Sequence, residues 1–182
     1  MKSWNRIAWI ISAFASPVIL AQTPGASTPG ASSPLTSGGG TAFLQQALQD
    51  QLAEIELSKI AENNSTDPLV INFAKATVRD ETQANRMLRE LAAKKGIPVS
   101  AASDAEHAAM MKILRSKNGT ELDDYYAKDM ARTDDKLIQL YQSQSADSDR
   151  DVGSYARSAL PQEEQHEKLA QSLADNTARR AT

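Results

Sequence analysis

Five residues interrupt apolar patterns in a way that could do chemistry: Glu54, Glu81, Asp134, Glu163 and His166. Carboxylates and an imidazole are hydrogen-bonding and metal-ligating groups, and each of these stands where a core residue is expected. Glu163-x-x-His166 places two such groups one helical turn apart on the same face, the spacing used in carboxylate-rich bundle metal sites. Glu54 is flanked one heptad away on each side by Ala47 and Ala61, which turns it inward as well. An ionised carboxylate in a dry core is costly, so such a set needs hydrogen-bonding partners or a cation. A mixed carboxylate and imidazole set suits iron, manganese or zinc better than copper(I), which prefers sulfur. A complete di-iron pattern would carry a second Glu-x-x-His, but the residue three before Glu81 is Val78, and the chain has two histidines. Two readings follow: a metal site on these five residues, or else a buried polar network or carboxylates that snorkel to the surface past small neighbours.

These residues must be positioned by long helices. From Thr41 onward glycine and proline become rare, and apolar residues recur at three- and four-residue steps. The spacing predicts a first helix over 42–62 with Leu44, Leu48, Leu52 and Ile55 on one stripe. A second runs from Asp67-Pro68 to Lys95 with Val70, Ala74, Thr77, Glu81, Ala84, Leu88 and Leu91. Proline inside a first turn costs no hydrogen bond, and Gly96 is a natural terminator. Ser103 is expected to cap a short helix over 104–117, closed by Asn118-Gly119. A third long helix is expected over 122–145 with Ala127, Met130, Asp134, Leu137 and Tyr141. A fourth, over 149–176, carries Val152, Ala156, Ala159, Glu163, His166, Ala170 and Leu173. Pro161 lies inside it and predicts a kink or a helix in two pieces.

The fold class expected is all-α. Short turns after the first and third long helices make two antiparallel hairpins, and the long connector between them can cross the bundle lengthwise. That is the ferritin-like four-helix topology with a short extra helix in the connector; plain up-and-down connectivity is the alternative. The roughly 140 residues from Thr41 onward suffice for a core without disulfides. There is no cysteine, which removes thiol chemistry, cysteine metal clusters and a lipoprotein anchor.

Ahead of the bundle, Lys2 and Arg6 precede an apolar run over Ile7–Ala21. About 15 residues is short for a membrane span and has the proportions of a signal peptide. Residues 1–21 are therefore expected to be a signal cleaved after Ala21, with an uncleaved anchor as the alternative. Residues 22–40, rich in Pro, Gly, Ser and Thr, are expected to be a flexible tether. The mature chain then has no transmembrane span, and the place expected for it is the periplasm or outer cell envelope.

A formal net charge of -3 argues against a nucleic-acid partner, which needs a basic footprint. No phosphate-binding glycine loop, Ser/His/Asp set or HExxH is present. His107, without a partner at ligand spacing, is expected at the surface. Tyr125, Tyr126 and Tyr141 are expected to pack between helices. Asp123-Asp124 and Glu163-Glu164 are neighbours in sequence whose side chains point apart.

The segments Ala53-Glu54-Ile55-Glu56-Leu57, Phe73-Ala74, Val78-x-Asp80, Asn85-x-x-Leu88, Gly96-Ile97-Pro98, Tyr126-x-x-x-Met130 and Leu160-Pro161-x-x-x-x-His166 occur in that order. Together they resemble the secreted bacterial ferritin-like family catalogued as domain of unknown function 4142, whose members are often labelled outer membrane proteins. The resemblance covers about Phe43 to Leu173. It implies a ferritin-like fold and an envelope location, and it implies no settled activity. That family usually has Asp-His in the second helix and another histidine in the third. Here those places hold Asp80-Glu81 and Asp134, and His166 alone matches. The replacements fit an oxygen-rich metal site and a plain polar network equally well. Three functions stay in view: a non-catalytic periplasmic or envelope bundle that binds a protein partner or a second copy or contributes to stress tolerance, a metal-binding or ferroxidase-like bundle, and a membrane-surface protein. The last is disfavoured because the polar helix faces are mixed in sign.

Overall fold

The computed structural model describes residues 38–180. The expected signal over 1–21, and the spacer as far as residue 37, lie outside the described residues. Five helices follow: α1 (Gly38–Asn64), α2 (Pro68–Lys94), α3 (Ala105–Arg115), α4 (Gly119–Gln144) and α5 (Arg150–Arg180). No strand occurs among the described residues. Gly38–Gly40, the last residues of the expected spacer, form the first turn of α1. Gly39 sits beside Gln144 and Asp147, so this turn is seated against the α4–α5 corner.

Local chemistry sets the ends of these helices. Asp67 caps α2 by accepting a hydrogen bond from the Leu69 N–H, with Pro68 in the first turn. At its other end the Ile97 N–H reaches the Ala92 carbonyl at 2.9 Å and the Gly96 N–H reaches Ala93 at 3.0 Å. This pairing needs a left-handed residue, which Gly96 supplies at φ 67°. α3 is capped by Asp104, one residue later than the expected Ser103, because the Asp104 carboxylate accepts the His107 N–H at 2.9 Å. Asn118-Gly119 starts α4 rather than closing α3. Pro161 lies within α5, yet the helix is continuous. The proline removes one bond, to the Arg157 carbonyl, on an exposed stretch, while Ala156, Glu163, His166 and Ala170 hold the buried side on either flank.

Cross-helix contacts fix the topology. Ser58 meets Tyr126 and Gln51 meets Tyr141, so α1 and α4 are antiparallel. Thr77 meets His166 and Lys95 meets Asp149, so α2 and α5 are antiparallel too. Asp67–Arg180 and Lys95–Asp149 close the two ends of that second pair. Since α1 also runs against α2, and α4 against α5, α2 and α4 must be parallel and diagonal. The connector carrying α3 therefore traverses the bundle lengthwise. This is the ferritin-like arrangement of four helices plus a short crossover helix.

α1 differs from the expected stripe. It packs against α2, α3 and α4, so it is buried on most sides. Gln51, Glu54 and Ser58 are fully buried, whereas Leu52 is only half-buried.

The apolar core comes in two blocks. One gathers Leu57, Phe73, Leu114, Leu122, Tyr126, Met130 and Leu173. The other gathers Phe43, Leu48, Leu88, Ile97, Leu137, Tyr141 and Val152. On each long helix the two blocks are separated by a polar stretch: 50–54 on α1, 77–81 on α2, 133–134 on α4 and 163–166 on α5.

Candidate metal centre

The residues between the two blocks are Glu54, Glu81, Asp134, Glu163 and His166. The four carboxylates are between 0% and 1% exposed and the imidazole 7%. Midway placement on four antiparallel neighbours brings them to one level, as the sequence pattern requires. Glu54, Glu81 and His166 each offer an atom within 4.8 Å of the others. Asp134 joins through its Oδ1, 3.0 Å from His166 Nδ1. Glu163, one turn before His166 on α5, adds its charge from the α2–α5 side.

Hydrogen bonding does not account for this set. Both oxygens of Glu54, both of Glu81, Oδ2 of Asp134 and Oε2 of Glu163 are buried with no hydrogen-bond partner among the described residues. Six orphaned carboxylate oxygens in one layer are far outside what a folded core normally carries. Among the described residues no lysine or arginine pairs with any of the four acids, and His166 is their one cationic neighbour. Burial, followed by the charges of Asp134, Glu81, Glu163 and Asp50, holds Glu54 well above the usual carboxylate range. Glu81 is raised by burial and then by Glu163 and Asp134. Glu163 is pushed up to about 7 by burial and the Asp134 charge, against a smaller opposing effect of His166. Protons or a cation must supply the missing positive charge.

His166 is oriented from three sides. The Thr77 hydroxyl donates to the Phe73 carbonyl at 3.1 Å, so its oxygen is left to accept from His166 Nε2 at 2.9 Å. Phe73 also stacks on the imidazole, with ring centroids 5.1 Å apart and an interplanar angle of 21°. Nδ1 is thereby the nitrogen turned to Asp134. Burial lowers the imidazole's affinity for a proton, but the Asp134 bond and the charges of Asp134 and Glu163 outweigh it and leave the pKa raised. The donors that converge are Glu54, Glu81 and His166, with Asp134 beside His166, while Glu163 lies outside that group; carboxylate and imidazole donors of this kind suit iron, manganese or zinc.

Several residues near this layer escaped the sequence reading. Thr77 was visible only as a stripe member. Gln51 and Ser58 share a face with Glu54 and bond to Tyr141 and Tyr126. His107 is not at the surface: it is 5% exposed, with Nε2 3.2 Å from Asp50 on α1 and Nδ1 3.0 Å from Asp104. Its spacing to Met110 and Leu114, three and seven residues on, was the signal that it faces inward. Asp123 is buried against the Ser65 hydroxyl while Asp124 pairs with Lys128, so these neighbours do point apart.

Residues 25–173 match the family described as "Domain of unknown function (DUF4142)". Among solved structures, the chain is similar to the DUF305 fragment from Deinococcus radiodurans, with a TM-score of 0.70. The two share 14% sequence identity, and the match covers 79% of this chain and 99% of that one. At that identity the likeness shows the fold alone. No curated protein matches the chain.

Proposed function

The chain belongs to the DUF4142 family, a domain of unknown function, and from the chemistry of its core we propose that it binds a divalent transition metal. The observation that carries the reading is the layer of six partnerless, buried carboxylate oxygens around a single oriented histidine. Glu54, Glu81, Asp134, Glu163 and His166 are the residues that would hold the ion. An ion there would neutralise several carboxylates at once, which the single imidazole cannot do. Iron or manganese would supply one-electron chemistry and zinc a Lewis acid. The protein's own part is to fix the ligands: Thr77 and Phe73 set the His166 ring, and the two apolar blocks flank the layer along the bundle. The reading needs no catalysis; a bound ion clasps the four helices whether or not anything turns over. The basic start and apolar run of residues 1–21 support export, so the periplasm or outer envelope is the place proposed for this binding.

Metal analysis of the protein recovered from the periplasmic fraction tests both points. Iron, manganese or zinc near one ion or more per chain is expected, falling sharply in Glu81→Ala and His166→Ala. Wild-type metal content in both variants would reject the site.

A further inference from the structure

The α2–α5 seam is closed at its ends and open in the middle. Asp67–Arg180 pins one end and Lys95–Asp149 the other. Between them lies a groove of about 500 Å³, walled by residues 80–87 of α2 and 155–169 of α5. Ala84, Ser158 and Ala159 leave the space that larger side chains would fill. Glu163 and His166 line it, so two of the five core residues are reached from this side of the bundle.

The lining carries acidic, imidazole and amide groups and no lysine or arginine. Its ionisable members are Asp80, Tyr155, Glu163 and His166. Arg79 pairs with Asp80 at 2.7 Å but is not part of the lining. Gln83, Gln162 and Gln165 offer neutral amide oxygens on the way in. The four other cavities described each include a lysine or arginine. An opening with carboxylate and amide oxygens and no lysine or arginine in its lining favours a hydrated cation over an anion.

We propose that this groove is the port through which a hydrated divalent cation reaches the core layer, with Glu163 and His166 as its first inner contacts. The proposal rests on the metal reading above and adds the route. An ion entering here can exchange water for amide and carboxylate oxygen stepwise, without the four helices separating.

The test is the rate at which Co²⁺ loads into the metal-free full chain, followed by its visible absorption at low ionic strength. A port pair, Gln83→Lys with Gln162→Lys, puts two cations on exposed helix positions at the rim. A control pair, Gln139→Lys with Gln142→Lys, adds the same charge on exposed positions of α4. Loading is expected to slow about tenfold in the port pair, with the slowing relieved by salt. Final Co²⁺ per chain should stay at the wild-type level, and the control pair should load at the wild-type rate. Equal rates in the port pair and wild type would overturn the port, as would equal slowing in both pairs. A wild-type chain that takes up no Co²⁺ would instead overturn the core site, and the port with it.

Discussion

Thr77 on α2 holds His166 on α5 through a 2.9 Å contact between its Oγ1 and the ring Nε2. Because the hydroxyl's own hydrogen goes to the Phe73 carbonyl, the contact selects one ring nitrogen to face the carboxylates. Thr77→Val keeps shape and burial but deletes the acceptor. It should weaken metal binding by about tenfold to a hundredfold, and Thr77→Ser should restore most of it. Competition with a chelator of known affinity reads the difference; equal affinity in the valine variant would dismiss the positioning role.

The carboxylate layer should make the metal-free protein less stable than its fold allows. Replacing Glu81 with methionine removes a buried charge at similar volume. We expect Glu81→Met to stabilise the metal-free chain by about 1–4 kcal/mol at pH 8 while reducing its metal uptake. Urea denaturation of chelator-treated protein measures the first effect, and a destabilised variant would contradict it.

The pH dependence has a definite sign. Glu54, Glu81 and Glu163 all have folded pKa values above their unfolded ones, Glu163 at about 7, and His166 is also raised. Between the unfolded carboxylate value and the folded ones, the native state binds more protons than the unfolded chain. Stability of the metal-free protein is therefore greatest in mild acid and falls as pH rises through about 4.5 to 7 and beyond. Asp149, lowered by its bond to Lys95, acts the other way, in the more acidic range below its ordinary value. Thermal melts of chelator-treated protein at pH 5 and pH 8 check this. A higher melting temperature at pH 8 would count against the layer as described.

His107 ties the crossover to α1 through Asp50. Truncating it in His107→Ala leaves the buried Asp50 carboxylate without its imidazole contact and opens space beside Met110. A loss of about 1–3 kcal/mol is expected, together with faster proteolysis between α2 and α4. Unchanged cleavage in that connector would show that the contact does not hold α3 in place.

The sequence made the fold legible because its signals were strong and local: helical stripes, Asp67-Pro68, Gly96, and a connector too long for a hairpin. The level of the polar layer was legible for the same reason, since Glu81, Asp134, Glu163 and His166 each break an apolar stripe at its middle. What stayed hidden depended on a partner in another helix. Thr77 fits an apolar stripe, so nothing in its type announces a bond to His166. Gln51 and Ser58 are buried because α1 has neighbours on three sides, which a stripe on one helix does not reveal. His107 looked solitary because Asp50 lies far from it in sequence. Pro161 suggested a broken helix, and burial on both flanks kept it whole.

The division of the proposed ligands between the two hairpins has a consequence for assembly. The α1–α2 hairpin carries Glu54 and Glu81, and the α4–α5 hairpin carries Asp134, Glu163 and His166. Each hairpin can form from contacts close in sequence, but neither brings a full ligand set. On the metal reading proposed above, cation affinity would include the free energy of docking one half of the molecule onto the other, and occupancy would report on whether the halves have met.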